Sequence, residues 1–202
     1  MSREMELIGI TGGIGAGKSV VSRILRLKGF AVYDCDSRAR LIMERSENIR
    51  RELTGRLGAE SLMEDGTLNR GHIACRIFGD KDCRDWLNAL VHSEVRRDLG
   101  EWMKGHETCF VESAILHTSK LDRLCSRIWL VEAPENLRIR RALRRGGISE
   151  TDLRKRIDSQ RREFQSLPPE KTARIFNDGE RSLLTALDFL LGEVGLDKEC
   201  NN

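Results

Sequence analysis

The run Gly12-Gly13-Ile14-Gly15-Ala16-Gly17-Lys18-Ser19 constrains this chain more than any other feature. It fits G-x-x-x-x-G-K-[S/T] without a mismatch. Before it stands an apolar run, Leu7-Ile8-Gly9-Ile10-Thr11, too short to be anything but a buried strand. After it, Val20, Val21, Ile24, Leu25 and Leu27 recur at helical spacing, and Gly29 marks the helix end. Ala31-Val32-Tyr33 then reads as a second strand. Strand, glycine turn, helix and strand make a β-α-β unit, which commits the chain to a parallel sheet. The glycines let the backbone wrap with several N–H groups pointing inward, and the helix adds the positive end of its dipole. That is an anion cradle of the kind that holds nucleotide phosphates. Gly13, Ile14, Gly15, Ala16, Gly17 and Lys18 are its expected lining, with Lys18 reaching the β- and γ-phosphates and exposed when the loop is empty. The Ser19 hydroxyl is an expected magnesium ligand.

The spacing excludes neighbouring classes. Gly13, Gly15 and Gly17 give G-x-G-x-G, whereas a dinucleotide fold needs a glycine where Lys18 stands. The chain holds no D-x-x-G and no N-K-x-D, which removes a GTPase, and no H-R-D or D-F-G, which removes a protein kinase. A small ATP-dependent phosphotransferase remains, or an ATPase with mechanical or regulatory work.

The rest of the chain supports an α/β domain with additions. Residues 37–105 read as polar and helical, with breaks at Gly55, Gly58, Asp65-Gly66 and Gly79. Residues 109–116 and 128–133 read as strands. Pro134 opens a basic helix that Gly146-Gly147 stops, and Ser149 caps the next. Arg174-Ile175-Phe176 is a short strand before the turn Asn177-Asp178-Gly179, and residues 182–191 are a final amphipathic helix. With 202 residues, 39% of them apolar, the chain has enough material for a core, so disorder is excluded.

Charge is concentrated. The whole chain is only +3, too weak a bias for a general nucleic-acid binder, yet residues 138–162 carry ten basic against three acidic groups. A compact polyanion fits that distribution better than a nucleic-acid surface does. The six cysteines, at 35, 75, 83, 109, 125 and 200, form no C-x-x-C pair and suggest reduced thiols in a cytoplasmic protein. No secretory leader and no membrane span are expected.

Asp34-Cys35-Asp36 closes the second strand at the sheet edge where ligands of open α/β sheets gather. A carboxylate there can orient and deprotonate an acceptor hydroxyl. Asp36 is the expected base, and Asp34 the expected cap or support. Among Arg138, Arg140, Arg141, Arg144 and Arg145, one or two are expected to meet phosphate, with the others solvated.

Taken together, these blocks resemble the dephospho-CoA kinase family. The matching stretches are GITGGIGAGKS from Gly9, YDCD from Tyr33 followed by Arg40, DGTLNR from Asp65, WLNALVH from Trp86, RIRRALRR from Arg138, RIDSQ from Arg156 and NDG from Asn177. The resemblance implies a P-loop kinase fold: a parallel sheet flanked by helices, with a helical substrate domain and a lid. It implies a core of residues 1–36, 106–135 and 170–202, an acceptor domain of 37–105 and a basic lid of 136–169. It implies transfer of the ATP γ-phosphate, with Mg2+, to the ribose 3′-hydroxyl of dephospho-CoA; another small-molecule or nucleotide kinase is the alternative. It assigns Asp36, Lys18 and Arg140 to catalysis, and Arg70, His92 and Asp36 to the acceptor. Arg144, Asn177 and Gly179 go with ATP. The chain departs from the family pattern at Ser93, and at Ser113 to His117 after Glu112.

Overall fold

The computed structural model describes residues 5–196. The ends of the expected core segments, residues 1–4 and 197–202, and with them Cys200, lie outside the described residues.

The chain forms two compact units, Met1–Tyr33 with His106–Asn202, and Asp34–Gly105. The first holds a five-stranded parallel sheet in the order β2-β3-β1-β4-β5. Its strands are β1 (Glu6–Gly12), β2 (Ala31–Asp34), β3 (Thr108–Glu112), β4 (Arg127–Glu132) and β5 (Thr172–Phe176). β1 is central and pairs with β3 on one side and β4 on the other, Ile10 standing opposite both Glu112 and Trp129. The glycine turn after β1 is thereby placed in the middle of the carboxyl edge. Helices α1 (Lys18–Leu27) and α8 (Leu183–Glu193) cover one face, where Ile8, Ile10, Val21, Leu25, Phe110, Trp129, Ile175 and Leu187 are buried together. On the other face Gly9 leaves room for a neighbour: a Cβ there would stand 2.7 Å from Leu116 and 3.0 Å from the Cys125 sulfur.

The strand expected over 109–116 stops at Glu112. The Ser113 hydroxyl accepts the Ile115 N–H at 3.2 Å and turns the chain out of the sheet. Pro134 and Ser149 open α6 (Glu135–Arg145) and α7 (Glu150–Gln165), as the sequence leads one to expect. These helices share a small apolar core of Ile139, Ala142, Leu153 and Ile157. α7 is also tied down by Glu163, which is buried and accepts the His117 and Thr118 N–H groups and the Thr118 hydroxyl.

The second unit is helical: α2 (Cys35–Arg45), α3 (Glu47–Leu57), α4 (Arg70–Ile77) and α5 (Lys81–Met103). Ile49, Leu53 and Leu57 of α3 meet Ile73, Cys83 and Leu87. Arg38 forks onto Asp98 at 2.6 and 2.9 Å and joins α2 to α5. Gly55 does not break the helix; it faces solvent inside α3 with nothing within 4 Å of its missing Cβ. The break falls at Gly58, whose φ of +99° ends the helix. No helix among the described residues is long and apolar enough to cross a membrane.

Candidate active site

The N-terminus of α1 is built to receive an anion. Gly17 precedes it at φ +107° with no side-chain cap, and no acidic residue stands in the first turn. In the first turn Val20 N–H is taken by the Gly17 carbonyl at 2.9 Å, whereas the Ser19 N–H is left to an external acceptor. The amides of Gly15, Gly17 and Ser19 meet no backbone carbonyl among the described residues. Ala16 instead donates to the Gly13 carbonyl at 3.0 Å and sets the curvature of the turn.

Lys18 is half-buried, not exposed as expected. Its Nζ donates to the Gly12 carbonyl at 2.8 Å, so the ammonium lies folded back along the loop. Ser19 is exposed in the first turn of α1. A hydroxyl there suits a magnesium ion that takes its other ligands from phosphates and water, and such an ion needs no cluster of protein carboxylates.

Other segments close around the loop. Asn177, directly after β5, donates from Nδ2 to the Ala16 carbonyl at 2.8 Å. Gly17 must be glycine because a Cβ would run into that same amide nitrogen. Arg141 donates to the Asn177 carbonyl at 3.0 Å. Arg138 donates from Nε to the Ile14 carbonyl at 3.1 Å, and its guanidinium lies where a side chain at Gly13 would have to go. Its Nη2 is buried without a partner. Burial first, and the charge of Arg161, pull the Arg138 guanidinium below its usual value; Glu135 and Glu132 oppose this. Gly179 is exposed at φ +92° in the turn beyond Asn177.

The expected loop residues Gly13 to Ser19 and Asn177 are thus in one place. Arg140 and Arg144 are not brought to the loop; both are exposed on α6. Arg138, Arg141 and Gln160 make the direct contacts; Arg138 and Arg141 are two of the five arginines of which the sequence expects one or two at phosphate, and Gln160 is not among the expected site residues. The apolar stripe of Ile139, Ala142 and Leu143 has Arg138 on one flank and Arg140 on the other. Helical spacing alone does not say which flank meets the loop.

In the helical unit, the Asp34 carboxylate caps α2. Its Oδ1 accepts the Asp36 and Ser37 N–H groups at 3.0 and 3.2 Å, and its Oδ2 accepts the Ser37 hydroxyl at 2.8 Å. Asp36, one residue inside the helix, presents an exposed side chain. Arg70, the first residue of α4, pairs with Glu44 at 2.7 Å. His92 is half-buried on α5. A cleft of about 890 Å3 between α2, α3 and α5 is lined by Arg38, Arg45, Arg51 and Arg97, among others, and by neither Arg70 nor His92.

A profile of the dephospho-CoA kinase family matches residues 6–179. The chain belongs to the dephospho-CoA kinase family. It is 46% identical to a dephospho-CoA kinase from Porphyromonas gingivalis over 165 residues, 81% of each chain. The crystal structure of TT1252 from Thermus thermophilus superposes with a TM-score of 0.77 at 33% identity, covering 95% of this chain and 98% of that one. A dephospho-CoA kinase from Campylobacter jejuni shares the fold with a TM-score of 0.64 at 21% identity, covering 93% and 96% of the two chains. The family match therefore spans the phosphate loop, the helical unit, the basic helix pair and Asn177 together.

Proposed function

We infer that this chain phosphorylates dephospho-CoA to coenzyme A, with ATP as the phosphate donor. The observation that carries the reading is the family match running unbroken across the uncapped glycine turn, Lys18 and the Asn177 clamp. In this reading the amides of Gly15, Gly17 and Ser19 hold the donor's phosphates, and Lys18 leaves the Gly12 carbonyl for the β- and γ-oxygens. Ser19 holds a magnesium ion, which supplies neutralisation of charge on the phosphates.

The acceptor is the ribose 3′-hydroxyl. Asp36 is proposed as the base: Asp34 is engaged by its cap, and Asp36 stands next to it with an exposed carboxylate at the end of β2. An Asp36 oxygen takes the hydroxyl proton as the oxygen attacks the γ-phosphorus in line. The bond from that phosphorus to the bridging oxygen breaks, and ADP leaves. Arg140 is proposed to neutralise the transferring phosphoryl group and Arg144 to bind the donor, both from a lid of residues 136–169. Gly179 is proposed to line the adenine side. Arg70 and His92 are proposed to bind the acceptor within a helical domain of residues 37–105. A cytoplasmic location is supported by the free thiols of Cys75, Cys83, Cys109 and Cys125.

The deciding assay follows ADP release with and without dephospho-CoA and identifies coenzyme A by mass. ADP release that ignores dephospho-CoA, or that depends on another acceptor in a panel of nucleosides and small alcohols, overturns the reading.

A further inference from the structure

Among the described residues, Ile14 is the one loop residue whose backbone N–H and C=O are both bonded to side chains of α6 and α7 while its own side chain packs against both helices. The N–H donates to Oε1 of Gln160 on α7 at 3.0 Å. The carbonyl accepts from Nε of Arg138 on α6 at 3.1 Å. The side chain packs against the cluster of Ile139, Ala142, Leu153 and Ile157 that holds α6 and α7 together. Gly15, the next residue, runs so close under α6 that a Cβ would strike the Arg138 carbonyl oxygen. All these residues belong to the same compact unit.

We propose that Ile14 is a latch joining the lid helices to the phosphate cradle, with Gln160 and Arg138 as positioning residues for the donor's phosphates. This rests on the ATP-dependent reading above. The turn has three neighbouring amide groups with different fates. Ala16 N–H is spent on the Gly13 carbonyl, Ile14 N–H on Gln160, and Gly15 N–H on no backbone carbonyl. Gln160 therefore fixes the peptide that precedes the open amide, and Arg138 fixes the peptide that contains it, through the Ile14 carbonyl. Together they set the direction in which the Gly15 N–H points. Gln160 acts through this geometry and not by touching ATP. Arg138 carries a second capacity: its buried Nη2 has no partner and sits beside Gly13, where a donor phosphate oxygen satisfies it.

The choice of side chains fits this role. A glutamate at position 160 would accept the same N–H but set a negative charge beside the donor's phosphates. Glutamine accepts without charge. Lysine at position 138 would keep the charge of arginine but lose the fork that bonds the Ile14 carbonyl and leaves Nη2 spare.

The test uses the intact protein and three variants, Gln160→Met, Gln160→Glu and Arg138→Lys. Binding of a non-hydrolysable ATP analogue is measured by calorimetry without acceptor. Steady-state KM values for ATP and dephospho-CoA are measured alongside. Gln160→Met keeps the length and packing and removes the acceptor. Its analogue affinity and ATP KM are expected to worsen about 2- to 10-fold, the worth of one net hydrogen bond, with the acceptor KM unchanged and the melting temperature lowered by no more than a few degrees. Gln160→Glu is expected to bind the analogue more weakly than Gln160→Met, and Arg138→Lys to weaken ATP more than the acceptor. Tighter analogue binding by Gln160→Met overturns the proposal, because Gln160 would then be a plug that ATP displaces. So do equal losses for ATP and acceptor, or a lowered melting temperature with no ATP-specific change. If the wild type binds the analogue but ignores dephospho-CoA, the acceptor assignment fails and the latch measurement still stands.

Discussion

Gly15→Ala tests how closely helix α6 sits on the phosphate loop. Two costs arise, and the structure separates them. Gly15 has φ +77°, which an L side chain adopts at a cost of about 1–2 kcal/mol. The new Cβ would also fall under 3.0 Å from the Arg138 carbonyl oxygen, a backbone atom that no rotamer change moves. The loop or α6 must retreat by about 1 Å, at a further cost of roughly 1–3 kcal/mol. Gly147, in the same compact unit, has φ +79° and nothing within 4 Å of its missing Cβ. Gly147→Ala thus carries the first cost alone. Differential scanning calorimetry should show Gly15→Ala melting lower than Gly147→Ala by the equivalent of about 1–3 kcal/mol. A misplacement of that size in a binding loop costs on the order of 100-fold in turnover. ATP titration and steady-state rates should therefore show a large loss for Gly15→Ala and little for Gly147→Ala. If the two variants melt alike and turn over alike, α6 does not rest on Gly15 and the reasoning fails.

Lys18→Ala should keep its melting temperature within a few degrees and lose roughly 10²–10³-fold in kcat, as loss of a charge-stabilising donor does; near-normal turnover would remove Lys18 from catalysis. Asp36→Asn should lower kcat by about 10²–10⁴-fold with ATP affinity kept, whereas Asp34→Ala should cost about 0.5–2 kcal/mol of stability through the lost α2 cap, a split read by kinetics beside thermal melting. Glu163→Ala strips three donors of their buried acceptor, so hydrogen exchange across α7 should speed up, and unchanged protection would deny the carboxylate its anchoring role. Burial pushes the Cys109 thiol up to about 11 and the Cys125 thiol up to about 12, from an ordinary value near 9.0. The folded state keeps these protons while the unfolded chain gives them up. Stability should accordingly be whole below about pH 9 and fall as pH rises from there toward 12, with the fall reduced in Cys125→Ala.

Much of this was legible early. A gap-free loop motif between a strand and a helix leaves few folds open, and the capping residues Ser149 and Asp34 are set by local chemistry. The errors have local causes too. The strand over 109–116 looked long because Ala114-Ile115-Leu116 is apolar, yet the Ser113 hydroxyl turns the chain, Ile115 is left exposed and only Leu116 buries itself against Gly9. Gly55 looked like a break because helix propensity was the only guide, and an open solvent-facing position tolerates it. The part that Gln160 plays, and the choice of Arg138 from among the five arginines of the basic helix, were hidden for a different reason. Their meaning lies in contacts 124 and 146 residues away along the chain, which no local pattern encodes.

Those long spans impose an order in time. Ile14 leaves a ribosome long before the two side chains that hold its peptide groups, which follow it by 124 and 146 residues. At about 5–20 residues per second, some 7–30 s separate the synthesis of Ile14 from that of Gln160. The central strand waits as well, since its partner β4 begins at Arg127. Throughout that interval the nascent chain carries a complete nucleotide-binding signature that has no walls. A fragment ending before α7 would therefore read as a kinase to any motif search and hold ATP poorly.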